Sequence, residues 1–243
     1  MEKKTTMDSS QTRKSSPEFD RFASEYVDLL DDPLRNRFAK DPLHFHRRKW
    51  LLIEQLLKRI GRKPETLRWL DVGCGQGELL SMAGSRFASA QGCDPSAGML
   101  PSNAVFKTCV QPSPVTLPLQ DASVDFVTAV CVYHHVNGSD RKLLTQEIKR
   151  VLSPNGLFCV VEHNPWNPVT QAIVKRCPVD ADAELLIARE TKEILETCGF
   201  RRQSTDYFLY FPESLFSSLG KLERMFSKIP LGGQYALLAQ APA

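Results

Sequence analysis

No Cys-x-x-Cys pair occurs in this 243-residue chain, although it holds seven cysteines. The paired spacing of a ribbon or finger zinc site is therefore missing, and no metal is expected. The cysteine number is odd, and several sit inside apolar runs such as Thr128-Ala129-Val130-Cys131-Val132. Buried, reduced thiols fit that pattern better than a disulfide framework, which points to a cytoplasmic protein. No apolar run approaches the roughly 20 residues needed to cross a bilayer, so no membrane span is expected. The formal net charge is only +3, too weak a field to suggest nucleic acid or an anionic membrane as partner. Internal repeats and low-complexity tracts are absent. Residues 1–17 lack the apolar core of a secretory signal and are rich in Lys, Ser and Thr, which reads as a disordered tail. The one basic run, Arg47-Arg48-Lys49 beside His44 and His46, reads as a solvated helix turn, with a place in a substrate pocket left open.

What is present is an alternation of strand and helix patterns. Apolar spacing predicts helices over residues 19–30, ended by Asp31-Asp32-Pro33, and 46–60, ended by Gly61. Short apolar strands follow at 68–72, 88–93, 105–110, 125–132 and 157–162, with helices at 78–86, 96–100 and 139–152 between them. Ser153-Pro154-Asn155-Gly156 reads as a turn before the fifth strand. A helix over 190–197 and strands at 205–211 and 235–240 complete the count, the last two expected to pair antiparallel at one edge. The expected fold is α/β: a doubly wound, mostly parallel seven-stranded sheet with helices on both faces and an antiparallel edge strand. One domain spans 18–243, its core at about 62–162 and 187–240. N-terminal helices (18–61) and inserted stretches at 163–186 and 211–233 lie outside that core and read as a cap over the cleft. The second of these suggests a helix of its own around Val169–Val174.

Ligands of such sheets bind beyond the carboxyl ends of the strands, where strand order reverses. The segment Leu70-Asp71-Val72-Gly73-Cys74-Gly75-Gln76-Gly77 stands at such an end. Its glycines let backbone approach a ligand closely, and an acid, Asp94, ends the next strand about 20 residues on, placed to accept both ribose hydroxyls of a nucleoside. A dinucleotide would need a third glycine where Glu78 stands, and a carboxylate there repels a pyrophosphate. S-adenosylmethionine carries cationic sulfonium and ammonium groups instead, and an acidic loop with Asp71 and Glu78 suits it better. Alone, Asp71 could merely cap the following helix, Asp94 could be a turn residue before Pro95, and Gly77 could serve only close packing.

Leu70–Leu79 resembles motif I of the class I S-adenosylmethionine-dependent methyltransferases. Gly92-Cys93-Asp94-Pro95-Ser96-Ala97-Gly98-Met99-Leu100 looks like their next motif. Leu117-Pro118-Leu119 with Ser123–Val127, then Val132-Tyr133-His134-His135-Val136, then Arg150–Leu157 resemble three further stretches in order. The resemblance implies that Gly73, Gly75 and Gly77 shape the loop around the cofactor's methionine part. It places Asp71 near the amino group, Asp94 with Pro95 at the ribose, and Met99 or Ser96 near the adenine. Where relatives carry an acid four residues before Leu-Pro-Leu, this chain has Ser113, so either adenine recognition here leans more on backbone or the local correspondence is shifted.

The implied reaction is an in-line displacement at a sulfonium-activated methyl carbon, in which position and desolvation do most of the catalysis. A base is needed only for a hydroxyl or a protonated amine, and histidine is suited to the task. His135 and His163, then His134, stand after the fourth and fifth strands and are the candidates, beside Glu162 and Asn164; a structural role competes for each. Tyr133 and Trp166 are candidate acceptor walls, or plain core. The expected activity is methyl transfer to a small-molecule acceptor. Alternatives are a nucleic-acid or protein methyltransferase, against which stand the weak charge and the lack of an Asn-Pro-Pro-Tyr-like motif, and a non-catalytic partner of the same fold.

Overall fold

The computed structural model describes residues 18–102 and 105–243; the tail expected at 1–17 lies outside the described residues. In chain order the elements are α1 (Tyr26–Leu29), α2 (Pro33–Phe38), α3 (His44–Arg59), β1 (Arg68–Val72), α4 (Glu78–Ala83), β2 (Ser89–Asp94), β3 (Lys107–Val110), β4 (Val124–Val130), α5 (Asp140–Val151), β5 (Leu152–His163), α6 (Pro168–Val174), α7 (Ala188–Thr197), β6 (Arg201–Phe208), α8 (Glu213–Phe226) and β7 (Gln234–Gln240). The strands form one sheet in the order β3-β2-β1-β4-β5-β7-β6. Neighbours from β3 to β5 are parallel, while β7 runs antiparallel to both β5 and β6.

Strand periodicity decides which helices cover which face. On β1, Leu70 and Val72 point to one side and Trp69 to the other. The first side joins Val127 and Ala129 to Leu144 and Ile148 of α5 and Leu195 of α7. The second joins Phe126, Cys159 and Val161 to Ile53, Leu56 and Leu57 of α3 and Leu80 of α4. Both faces of the central strands are thus dry, which is why β4 and β5 read as near-continuous apolar runs. The strand order reverses at β1, between β2 and β4, so the carboxyl ends of β1 and β4 open one crevice.

Several local expectations change. The helix expected over 19–30 is broken into a 3-10 turn, Glu18–Arg21, and the short α1. Pro33 begins a helix as well as ending one: the Asp32 carboxylate accepts the backbone N–H of Leu34 and Arg35, and a proline at the first helical position loses no hydrogen bond. β4 stops at Val130 because Cys131 adopts φ 58° and turns the chain away. Residues 153–156 loop out within β5, where the register jumps from Val124↔Leu152 to Phe126↔Leu157 and Asn155 takes φ 59°. The expected helix after the fifth strand forms as α6, capped by the Asn167 side chain on Thr170 N–H. α8 was not foreseen; its inward anchor is a charged residue, Glu223, so apolar periodicity understates it.

Candidate functional site

The glycine loop leaves β1 with φ values of +66°, +52° and +76° at Gly73, Gly75 and Gly77. The three glycines do different work. A Cβ on Gly73 would sit 2.5 Å from Val132 Cγ2, and one on Gly77 would sit 2.5 Å from Phe106 Cζ. Those two permit close packing. A Cβ on Gly75 would meet only Met99 Cε, at 3.5 Å, so Gly75 faces an open cradle.

Asp94 ends β2 against that loop. Its Oδ2 accepts the Gly75 N–H at 2.9 Å and its Oδ1 the Ser96 N–H at 2.8 Å. A carboxylate has about four acceptor positions, so capacity for two more donors remains toward the cleft, where Asp94, Pro95 and Met99 all lie. Asp71, buried at the end of β1, accepts the Thr128 hydroxyl at 2.5 Å, which in turn accepts Trp69 Nε1–H at 2.8 Å. Burial pushes its carboxyl up to about 7. Ser113 lines the cleft with its hydroxyl on Thr116 at 2.9 Å. Beside it Gln111, buried and lining the same cleft, keeps Oε1 without a hydrogen-bond partner. Such an acceptor could receive an exocyclic amine, a capacity that attention to position 113 alone passed over.

At the other end, Glu162 is fully buried. It accepts the N–H of Val132 at 3.0 Å and of Tyr133 at 2.7 Å, and pairs with His134 Nδ1. Asp180, on the segment after α6, lies 3.6 Å from His134 Nε2 and 3.4 Å from His135 Nε2. Burial would depress His134, but Glu162 and Asp180 outweigh it and raise the imidazole to about 10. Ligand-type atoms of His134, His135 and Asp180 lie within 4.8 Å of one another. His135 keeps Nδ1 buried and unpartnered, its ring edge-on to Phe19 at 4.8 Å. His163 Nδ1 lies 3.4 Å from Gln234 Nε2, which also reaches Cys131 Sγ at 3.5 Å. Burial would raise the Cys131 thiol, yet Lys49 and His163 bring it down to about 7.

The three sequence-predicted histidines, Asp71, Gly73, Gly75, Asp94, Pro95, Met99 and Ser113 all line one cavity of about 970 Å³. Gly77 stands behind it, packed on Phe106. Tyr133 is core, fully buried with its hydroxyl 2.7 Å from Thr145 Oγ1, and Trp166 is 56% exposed; neither lines the cleft. The basic run splits three ways, since successive helical residues point about 100° apart. Arg47 pairs with Asp41 at the surface, Arg48 is buried against Glu223, and Lys49 turns into the cleft. Asp180, Gln111, Cys131 and Arg35, which local sequence pattern does not mark as site residues, also line it.

Residues 70–160 match the family described as a methyltransferase domain. No curated protein sequence matches the chain. Among solved structures, a methyltransferase and possible histamine N-methyltransferase from Thermotoga maritima is 17% identical, covering 92% of this chain and 97% of that one with a TM-score of 0.63. A putative methyltransferase complexed with the Trm112 activator of Haloferax volcanii is 19% identical over 93% of this chain and 98% of that one, with a TM-score of 0.62. A geranyl diphosphate C-methyltransferase from Streptomyces coelicolor, solved with Mg2+, geranyl diphosphate and S-adenosyl-L-homocysteine, is 18% identical over 93% and 97% of the two chains, with a TM-score of 0.57. The matched stretch carries the glycine loop, Asp94 and the His134–His135 end of β4, and the seven-stranded sheet built around it has the class I, Rossmann-like fold of S-adenosylmethionine-dependent methyltransferases of known structure.

Proposed function

We propose that this enzyme transfers the methyl group of S-adenosylmethionine to a small-molecule acceptor held in the same cleft. The observation that carries the reading is the single cavity of about 970 Å³ joining the glycine loop and Asp94 to the histidine cluster. It stands at the upper end of the roughly 300–1,000 Å³ of small-molecule sites, room for cofactor and acceptor together. The residues present fit the cofactor. Gly75 leaves a cradle that a larger side chain would enter, Asp94 keeps acceptor capacity for two hydroxyls, Asp71 and Glu78 offer negative charge, and Gln111 Oε1 lacks a donor. When bound, the cofactor supplies a methyl carbon already activated by its sulfonium. The chain's own residues orient it, exclude water and remove a proton where the acceptor carries one.

The cap reading follows the lining. Tyr26, Phe38 and His46 come from the N-terminal helices, and Thr170, Ile173 and Asp180 from the stretch after β5. α8 backs them through Glu223, which pairs with Arg48 and accepts the N–H of Leu209 and Tyr210. Seven free cysteines support a reducing, cytoplasmic setting. The test is methyl incorporation from labelled S-adenosylmethionine into fractionated extract. Label in the low-molecular-weight fraction supports the reading; label only in RNA or protein overturns the acceptor class.

Asp94→Ala should weaken S-adenosylhomocysteine binding by roughly 100-fold or more. Two ribose bonds to a charged acceptor contribute about 1.5–3 kcal/mol each, and the variant also frees the Gly75 N–H. A titration showing native affinity would refute the ribose assignment. For a hydroxyl acceptor, His135→Gln or His163→Gln should lower turnover by roughly 10²–10⁴-fold, with cofactor affinity little changed. The variant lacking the base should also lose the ascending limb of the pH–rate profile. Near-native turnover in both would leave the histidines structural. His134 is not offered as the base, because Glu162 and Asp180 hold it protonated.

A further inference from the structure

The cavity is charged unevenly. Beyond the glycine loop its far wall carries Arg35 of α2 and His46 and Lys49 of α3. Lys49 is 7% exposed, and its hydrogen-bond partner is a thiol, Cys131 Sγ, at 3.6 Å. Arg35 donates to the Leu30 carbonyl at 3.3 Å and stacks over Phe45 at 4.7 Å. Among the described residues no carboxylate lies within ion-pair distance of either cation; Asp31 and Asp32 act on Arg35, and Asp71 and Lys49 on each other, only from further away. His46 keeps a buried Nδ1 with no partner; burial, then Lys49 and Arg35, push it down to about 3. Within the cavity Lys49 is met by a thiol, Cys131, and a buried cation so weakly partnered is costly until an anion arrives to meet it. Besides Asp32 at the start of α2, Leu29, Phe38, Phe45, Val169, Ile173 and Leu209 give the lining a large apolar share. Val169 is also 43% exposed, so the apolar wall continues to the surface.

We propose that the methyl acceptor is an amphiphilic anion, its phosphate or carboxylate held by Arg35 and Lys49 and its apolar body laid against the wall formed by α2, α3 and α6. The assignment rests on the methyltransferase reading of the same cleft and narrows it. Arg35 presents a planar fork and Lys49 a point charge, the usual pair for an oxyanion. An amine or quaternary ammonium acceptor is disfavoured, because it would enter beside two cations and a sulfonium.

The test is calorimetry on the full chain preloaded with S-adenosylhomocysteine, with single-chain amphiphiles kept below their micellar concentrations. Dodecyl phosphate or dodecanoate should bind, and dodecyl maltoside and dodecyltrimethylammonium should bind at least tenfold more weakly. The better of the two anions identifies the head group. Arg35→Gln and Lys49→Gln should each weaken the preferred anion by roughly 10–100-fold, with maltoside binding unchanged. Arg35→Gln, on a half-exposed side chain, keeps the test valid if the buried Lys49 variant does not fold. Equal affinity for maltoside, or native anion affinity in the Arg35 variant, would overturn the proposal. Anion binding without S-adenosylhomocysteine binding would keep it and sink the cofactor site instead.

Discussion

Gly75→Val should abolish measurable cofactor binding, a loss of more than 100-fold, while the chain still folds. Among the described residues nothing fills the space a Cβ would take: the nearest atom is Met99 Cε at 3.5 Å. The added side chain therefore collides with the ligand rather than with the core. Its fold penalty comes from φ +52°, a left-handed conformation that costs a substituted residue about 1–2 kcal/mol. Gly77→Ala makes the contrast. Its new methyl would lie 2.5 Å from Phe106 Cζ, so it should lower stability first and affinity only through the shifted loop. Thermal melts paired with S-adenosylhomocysteine titrations separate the two. A Gly75→Val protein that binds normally would remove the loop from the site.

Replacing Glu162 by alanine should destabilise the enzyme by about 3–5 kcal/mol, the range for removing one partner of a buried ion pair. For a chain of this size that is roughly 6–20 °C in melting temperature. Three groups lose their acceptor at once: the N–H of Val132, the N–H of Tyr133 and the His134 imidazole. The same network sets a pH window. His134 is raised to about 10 in the folded chain, against about 6.5 when unfolded. Its contribution is complete below about 6.5 and drains away as the pH rises toward 10. Glu162 and Asp180 are both held low, chiefly by His134, against the opposing effect of burial. Their contribution is present above about 4 and is lost as the pH falls below that value. Stability should therefore peak between about pH 5 and 6.5, and Glu162→Gln should flatten the alkaline arm. An unchanged alkaline arm in that variant would show that the pair contributes nothing.

How much of this was legible in advance depended on distance along the chain. Asp71 to Glu78 is one strand–loop–helix unit, so local residue types declare it. Asp94 follows because adjacent parallel strands bring their ends together: Val72 pairs with Cys93, one residue before it. The His134 and His135 positions were readable for the same reason, as the end of β4 beside β1. Asp180 was not, since its contacts with both histidines cross more than forty residues from a segment with no regular pattern. Lys49 was half legible. Periodicity identifies the buried face of α3 but does not say whether that face meets core or cleft, and Lys49 sits where one gives way to the other. Cys131 escaped because an apolar run looks like uninterrupted strand; its φ of 58° turns the thiol toward Lys49 and Gln234. The loop at 153–156 was recognised as a turn by composition, while its place inside β5 depends on pairing with β4, which local sequence does not encode.

Phe19 and Asp20 are neighbours in the chain, yet their side chains seat on different parts of the fold. Phe19 meets the His135 ring at 4.8 Å. The Asp20 carboxylate accepts the Ser96 hydroxyl at 2.5 Å and the Gly98 N–H at 3.4 Å, on the loop after β2. One peptide bond joins the two contacts, so neither can swing far while the other stays seated. The consequence concerns traffic rather than affinity. If cofactor and methylated product both pass this segment, its release is one event for the two of them, and the rate of that release sets a ceiling on turnover.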